Sequence, residues 1–216
     1  MTMILSTRRE PCAILAAERQ WGNASSPPSY ERKLVLHSLP LGFGLAGFVW
    51  VPIGGIWATT MKHVEDFAAG IKSTDELIVS DIADRLRTLF QPAMDAVANT
   101  MQIFIAVVKD GKAAVGIQEI SARIIAARPT RFIDGCEQLI PELLLPYYDQ
   151  QEFQDLLDDP DITDEKQIGR NARFAIERCI EHERSLHPDG KNEVTGGDVD
   201  VAIITTAGAS FLSSGP

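Results

Sequence analysis

The chain has 216 residues, 45% hydrophobic, 23% charged and 7% aromatic, a composition that excludes fibrous and low-complexity classes and fits one domain with a core of ordinary size. Thirty acidic against twenty basic side chains give a net charge of −10, so a nucleic-acid backbone or an anionic leaflet is repelled and neither is expected as a partner. Cys12, Cys136 and Cys179 are scattered and form no C-x-x-C pair, which suits a reducing cytoplasm and excludes a zinc ribbon. The most apolar stretch, residues 34–57, is broken by His37, Ser38, two prolines and five glycines, so no membrane span is expected. At the N-terminus the basic pair Arg8-Arg9 follows the apolar run instead of preceding it, unlike a signal peptide.

In chain order, short apolar or β-branched runs predict strands over 3–7, 12–17, 33–37 and 42–49, with a loop over 22–29. Trp57, Met61, Val64, Phe67, Ala68 and Ile71 then recur at helical spacing. Ser73 with Glu76 forms a capping-box signature that predicts the start of a second helix, bearing Ile82, Leu86, Phe90 and Met94 and bent near Pro92. A wholly apolar run over 103–108 predicts a strand buried on both faces. Asp110-Gly111 turns it into a partner over 113–117, and 122–127 reads as a further strand. Helices are expected over 133–144 and, after the acidic stretch 155–165, along Ile168, Ala172, Ala175, Ile176, Cys179 and Ile180. Strands over 199–206 and 209–213 close the chain. Strands in blocks and helices in pairs predict an α+β fold with two antiparallel sheets packed together and a helix pair outside each, a four-layer αββα sandwich formed by residues 1–216 as a single domain.

Chemistry is sparse. His37, His63, His182 and His187 show no ligand spacing, the acidic run lacks the central glycine of a calcium loop, and no phosphate-binding glycine loop follows a strand, so neither metal nor cofactor is expected. The exception is position two. Removal of Met1 would leave Thr2 with a free α-amine titrating near 7.7 to 8.0, a nucleophile and its base in one residue. Thr2 opens the first strand, Leu15-Ala16-Ala17-Glu18-Arg19 closes the second, Lys33 starts the third, and Ala46-Gly47 ends the core of the fourth.

This order resembles the proteasome β-subunit family and the heat-shock-locus peptidase, both N-terminal-nucleophile hydrolases, and looks most like a divergent bacterial proteasome homologue. The resemblance implies Thr2 as nucleophile, Glu18 and Lys33 as the charge pair that activates it, and the Gly47 N–H as oxyanion donor. It further implies a threonine endopeptidase in stacked homo-oligomeric rings, with polypeptide substrates and an ATPase unfoldase ring as a further partner. By the same carry-over Trp21, Glu31, Val35, Leu45 and Val49 flank the threonine and receive the side chain before the scissile bond. Four of the five are apolar, which implies cleavage after leucine or tyrosine. Glu31, if turned inward, would favour arginine, and an acidic preference is excluded.

Three departures from the family pattern stand out. Residues 127–132 read Ala-Arg-Pro-Thr-Arg-Phe where the family carries a Ser-Gly-Ser type turn, so Thr130 could stand in for the serine, or Arg128 or Arg131 could intrude. Asp189, Glu193 and Asp198 all compete for the acidic position near the closing glycines. The segment 48–55, Phe-Val-Trp-Val-Pro-Ile-Gly-Gly, replaces the usual turn after Ala-Gly. The missing serine motivates the alternative of a catalytically impaired ring protein with an assembly or binding role. Read as an ordinary, partly exposed ion pair at a sheet end, Glu18 and Lys33 would add at most about 1 kcal/mol to stability.

Overall fold

The computed structural model describes residues 3–21, 29–47, 50–123, 131–133, 136–139, 155–157, 159, 161–186 and 196–213. Within them lie fourteen strands: β1 (Ile4–Arg9), β2 (Cys12–Glu18), β3 (Gln20–Trp21), β4 (Ser29–Tyr30), β5 (Leu34–Leu36), β6 (Leu41–Ala46), β7 (Trp50–Ile53), β8 (Ile56–Thr59), β9 (Thr100–Lys109), β10 (Lys112–Ser121), β11 (Arg131–Ile133), β12 (Cys136–Leu139), β13 (Val199–Thr205) and β14 (Gly208–Phe211). The long helices are α1 (Thr60–Ala69), α2 (Val79–Val97) and α3 (Glu165–Leu186). The fold is mixed α+β. One five-stranded sheet runs β12-β1-β2-β13-β14, the other β11-β10-β9-β6-β5, and every pairing in both is antiparallel.

Alternation of side chains along the strands explains where the apolar residues go. In β9, Ile103, Ile105 and Val107 join a core shared with Val64, Ala68, Ile82, Leu86 and Phe90 of α1 and α2. Phe104, Ala106 and Val108, one residue out of phase, join a second core that also holds Ile4, Leu15, Ala17 and Ile204 of the opposite sheet. The expectation that this strand is buried on both faces therefore holds. A third core packs Leu5, Ile14, Ala16 and Val201 against Ile168, Ala172, Ile176 and Ile180 of α3. All six apolar positions predicted for that helix are buried.

Several boundaries differ from the sequence expectation. Trp57 belongs to β8, not to a helix: Ile53 pairs with Ile56 across Gly54 and Gly55, whose φ of +59° and +81° suit a two-residue hairpin turn. Thr59 then caps α1 by accepting the Lys62 N–H. The capping box of Ser73 and Glu76 is present, yet it closes a single 3-10 turn, Thr74–Glu76. Leu77, at φ −79° and ψ 71°, leaves the helical region to reach the core under α1 and α2, and α2 starts only at Val79. Pro92 falls inside α2. β10 continues to Ser121, so the segment from Ala122 does not begin a separate strand, and 124–127 lies outside the described residues. The helix expected from 133 is replaced at its start by β11 and β12, which pair with β10 and β1 respectively; residues 140–144 of that expectation lie outside the described residues.

Candidate active site

The ends of β2 and β5, one in each sheet, meet at a pair of ionisable side chains. Glu18 and Lys33 are both fully buried, and Lys33 stands with Phe43, Phe90 and Phe104 among the largest side chains so enclosed among the described residues. The Lys33 ammonium donates to Glu18 Oε1. The same oxygen accepts the main-chain N–H of Met3 at 3.0 Å, and Oε2 accepts that of Gln20 at 2.6 Å. One carboxylate thus gathers a cation and two backbone donors from three separate segments. The pair is not the partly exposed surface contact expected from sequence.

Burial sets the electrostatics. Removal from water pushes the Lys33 amine down to about 8, and the nearby Glu18 carboxylate offsets only part of that. Burial likewise raises Glu18 above the ordinary carboxylate range, against the lowering effects of Lys33 and of the Met3 and Gln20 N–H groups. Both shifts run toward the uncharged forms, with burial as the largest cause of each. An enclosed cation of this kind costs several kcal/mol in desolvation unless fully paired. Its place at a convergence of strand ends makes it a candidate for chemistry.

Gly47 directly follows the end of β6, two residues beyond Leu45, whose N–H donates to the Lys33 carbonyl at 2.9 Å. It adopts φ +112°, and a Cβ there would lie 2.9 Å from both the Met101 Cα and the Thr100 oxygen, so only glycine fits. Of the four residues assigned to catalysis from sequence, Glu18 and Lys33 are in direct contact and Gly47 sits just past the end of the adjoining strand β6. Thr2 lies outside the described residues, although its carbonyl carbon is bonded to the Met3 nitrogen that Glu18 holds.

Of the five substrate-wall residues, the side chains of Glu31, Val35 and Leu45 are described. Val35 and Leu45 are buried in the core beneath α1 and α2. Glu31 is exposed, with its N–H donating to the Arg19 carbonyl at 3.0 Å. The backbone of Trp21 lies in β3, paired with Ser29. Val49 lies outside the described residues, as do Arg128, Thr130, Asp189 and Glu193. Arg131 is in β11. Asp198 is exposed and meets Arg19 Nη1 at 3.3 Å.

Sequence reasoning missed a second charge cluster beside the pair. Asp200 is 7% exposed and accepts two hydrogen bonds from Arg19, Nε to Oδ2 at 2.9 Å and Nη2 to Oδ1 at 2.6 Å. Arg32 brings its Nε to 3.7 Å from the same Oδ1 and lays its guanidinium 4.5 Å from the centre of the Phe211 ring. These arginines and Asp200 line a cavity of about 460 Å³ with Arg173 and Leu212. The signal was present in Val199-Asp-Val-Ala-Ile-Ile204, where a lone carboxylate interrupts an apolar strand.

Two of the histidines are engaged in the framework: His37 Nδ1 meets the Leu39 N–H at 3.0 Å, and His63 Nε2 meets the Val51 carbonyl at 3.1 Å. Among the described residues there is no cluster of His, Cys, Asp and Glu suited to a metal ion, and no helix is long and apolar enough to cross a membrane. No family model and no curated protein matches the chain.

Proposed function

We propose that the chain is a threonine-type endopeptidase subunit of a self-compartmentalising ring complex working in the cytoplasm, on a four-layer αββα sandwich of the N-terminal-nucleophile kind. The observation that carries the reading is the shared Glu18 oxygen, which accepts from both the Lys33 ammonium and the N–H that immediately follows Thr2. Lone buried ion pairs are weak evidence for stability. One whose carboxylate also holds the backbone N–H of Met3, the residue that follows the candidate nucleophile in sequence, supports a use beyond stability.

In this reading Met1 is removed and the Thr2 hydroxyl attacks a peptide carbonyl while its own α-amine accepts the proton. The Lys33 ammonium lowers the cost of the developing alkoxide, and the Gly47 N–H receives the oxyanion. Collapse of the tetrahedral intermediate expels the amine half of the substrate with that proton, leaving an ester on Thr2. Water, activated by the same amine, then releases the acid half and restores the hydroxyl. Ring assembly gives a use to apolar side chains left exposed, among them Trp50, Ile56, Trp57 and Phe174. Cys12 is a buried free thiol, compatible with a reducing compartment.

A peptide epoxyketone needs both a hydroxyl and a free amine on one residue. Intact mass should show a chain lacking Met1 and gaining one inhibitor mass, and Thr2→Ala should abolish the gain. A chain that forms rings in electron micrographs yet keeps Met1 and takes no inhibitor would instead be the catalytically impaired assembly protein, a reading favoured by the absence of serine from residues 127–132. Labelling that survives Thr2→Ala would overturn the nucleophile assignment.

A further inference from the structure

The bond between Glu18 and Lys33 links the two sheets, and each partner sits at a strand end, where ladders fray first. Arg19 and Arg32 are the chain neighbours of that pair, one after Glu18 and one before Lys33, and both reach the same atom, Asp200 Oδ1. Asp200 stands on β13, opposite Ala17, so its carboxylate is carried by a strand paired on both sides, with β2 and β14. We propose that Asp200 is a positioning residue whose carboxylate, set between Arg19 and Arg32, clamps the end of β2 to the start of β5 and thereby holds Glu18 and Lys33 in register beside Met3.

Three features separate the clamp from an ordinary surface ion cluster. The Arg19 contact is bidentate and the carboxylate almost fully enclosed, the geometry in which such pairs are strong and directional. The main chain of Arg19 is tied at the same place, its N–H to the Asp198 carbonyl at 3.1 Å and its carbonyl to the Glu31 N–H, so movement of its side chain is transmitted to the strand end. Finally, the sign of the charges matters. Without the carboxylate, Arg19 and Arg32 would lose the buried counter-charge they share, and repulsion between them would part the strands. Arg32, 53% exposed and resting on Phe211, is the weaker arm.

The effect on turnover rests on the peptidase reading, whereas the effect on geometry does not. Asp200→Asn is the test variant, with a fluorogenic peptide ending in leucine as substrate and amide hydrogen exchange at Met3 and Gln20 as the geometric readout. The clamp predicts a fall in kcat on the order of tenfold to a hundredfold, as sub-ångström misplacement costs, with KM within about twofold, and exchange at both amides faster by about tenfold. Asp200→Glu should restore most of both. Unchanged kcat together with unchanged exchange would overturn the proposal, and so would a rise in KM alone. If the wild-type protein turns over no substrate, the peptidase reading falls and the exchange rates of Met3 and Gln20 decide the clamp by themselves. Should Asp200→Asn fail to fold, Arg32→Gln, which leaves the bidentate pair intact, must still speed exchange at Gln20; failure to do so overturns the proposal.

Discussion

Lys33 is the residue whose environment most constrains what the protein can tolerate. Replacing it by methionine keeps the volume and removes the cation, which leaves a carboxylate enclosed without its counter-charge, a change that costs about 3 to 5 kcal/mol when the acid stays ionised. Glu18 already titrates above its ordinary range through burial, and loss of Lys33 removes two of the influences that hold it down. A carboxyl whose folded pKa is raised contributes stability that is full below its unfolded pKa and is lost as pH rises through the folded one. Lys33→Met should therefore destabilise the protein strongly at pH 7 and much less at pH 5, both below the window of about 8 to 10.5 in which Lys33 itself titrates. Urea unfolding at the two pH values measures this, with Glu18→Gln/Lys33→Met as the control that loses the difference. Equal losses at pH 5 and pH 7 would mean that water reaches the pair. Gly47 offers a second test at this scale. Gly47→Ala meets backbone atoms at 2.9 Å in a left-handed conformation, whereas Gly54→Ala has a left-handed φ and open space around it. The second change should cost about 1 kcal/mol from conformation alone. The first should cost clearly more, read as the larger fall in Tm; the reverse order would show that the β6 end moves aside freely.

At the scale of elements, α2 begins without help. Its N-cap is Ile78, extended at φ −123° and ψ 115°, with no side-chain hydrogen bond to the first turn, and it leaves 44% of its surface exposed. Ile78→Ser supplies the missing acceptor at little loss of packing, so stability should rise by about 1 kcal/mol, seen as a higher Tm; a fall would show that Ile78 packs on a neighbour. The same region shows what could be learned from sequence. The apolar faces of α2 and α3 were legible because a period near 3.6 sustained over four or more turns has no other explanation. The capping box was legible too, but a cap satisfies only local N–H groups and cannot say how many turns follow, and Leu77 gains more by entering the core than by continuing the 3-10 turn. Trp57 was misassigned because its spacing to Met61 and Val64 is helical, although Gly54-Gly55 marked a hairpin three residues earlier. β11 and β12 are three and four residues long, too short for any period to separate strand from helix. Glu18 and Lys33 could be named from their order along the chain. Their complete burial and the Asp200 cluster could not, since both depend on which strands lie side by side.

At the scale of the molecule, the proposed ring assembly must contend with charge. Each copy carries −10, so bringing copies together in a ring sums like charges around a closed circle, and the repulsion grows as salt falls. Opposing it are contacts whose strength does not depend on salt in that way. The continuous segment from Ser38 to Met61 bears no charged side chain at all, and it holds three of the exposed large apolar residues, Trp50, Ile56 and Trp57. If burial of apolar surface drives association, raising the ionic strength shortens the Debye length from about 10 Å at 0.1 M to about 3 Å at 1 M and removes the opposing term while leaving the driving one intact. Sedimentation velocity should then show the fraction of assembled particles increasing from 0.1 M to 1 M sodium chloride at fixed protein concentration. Dissociation on adding salt would mean that ion pairs between copies carry the contact, and a monomer at every ionic strength would remove the ring from the proposed function while leaving the chemistry of Thr2 to be judged by the inhibitor alone.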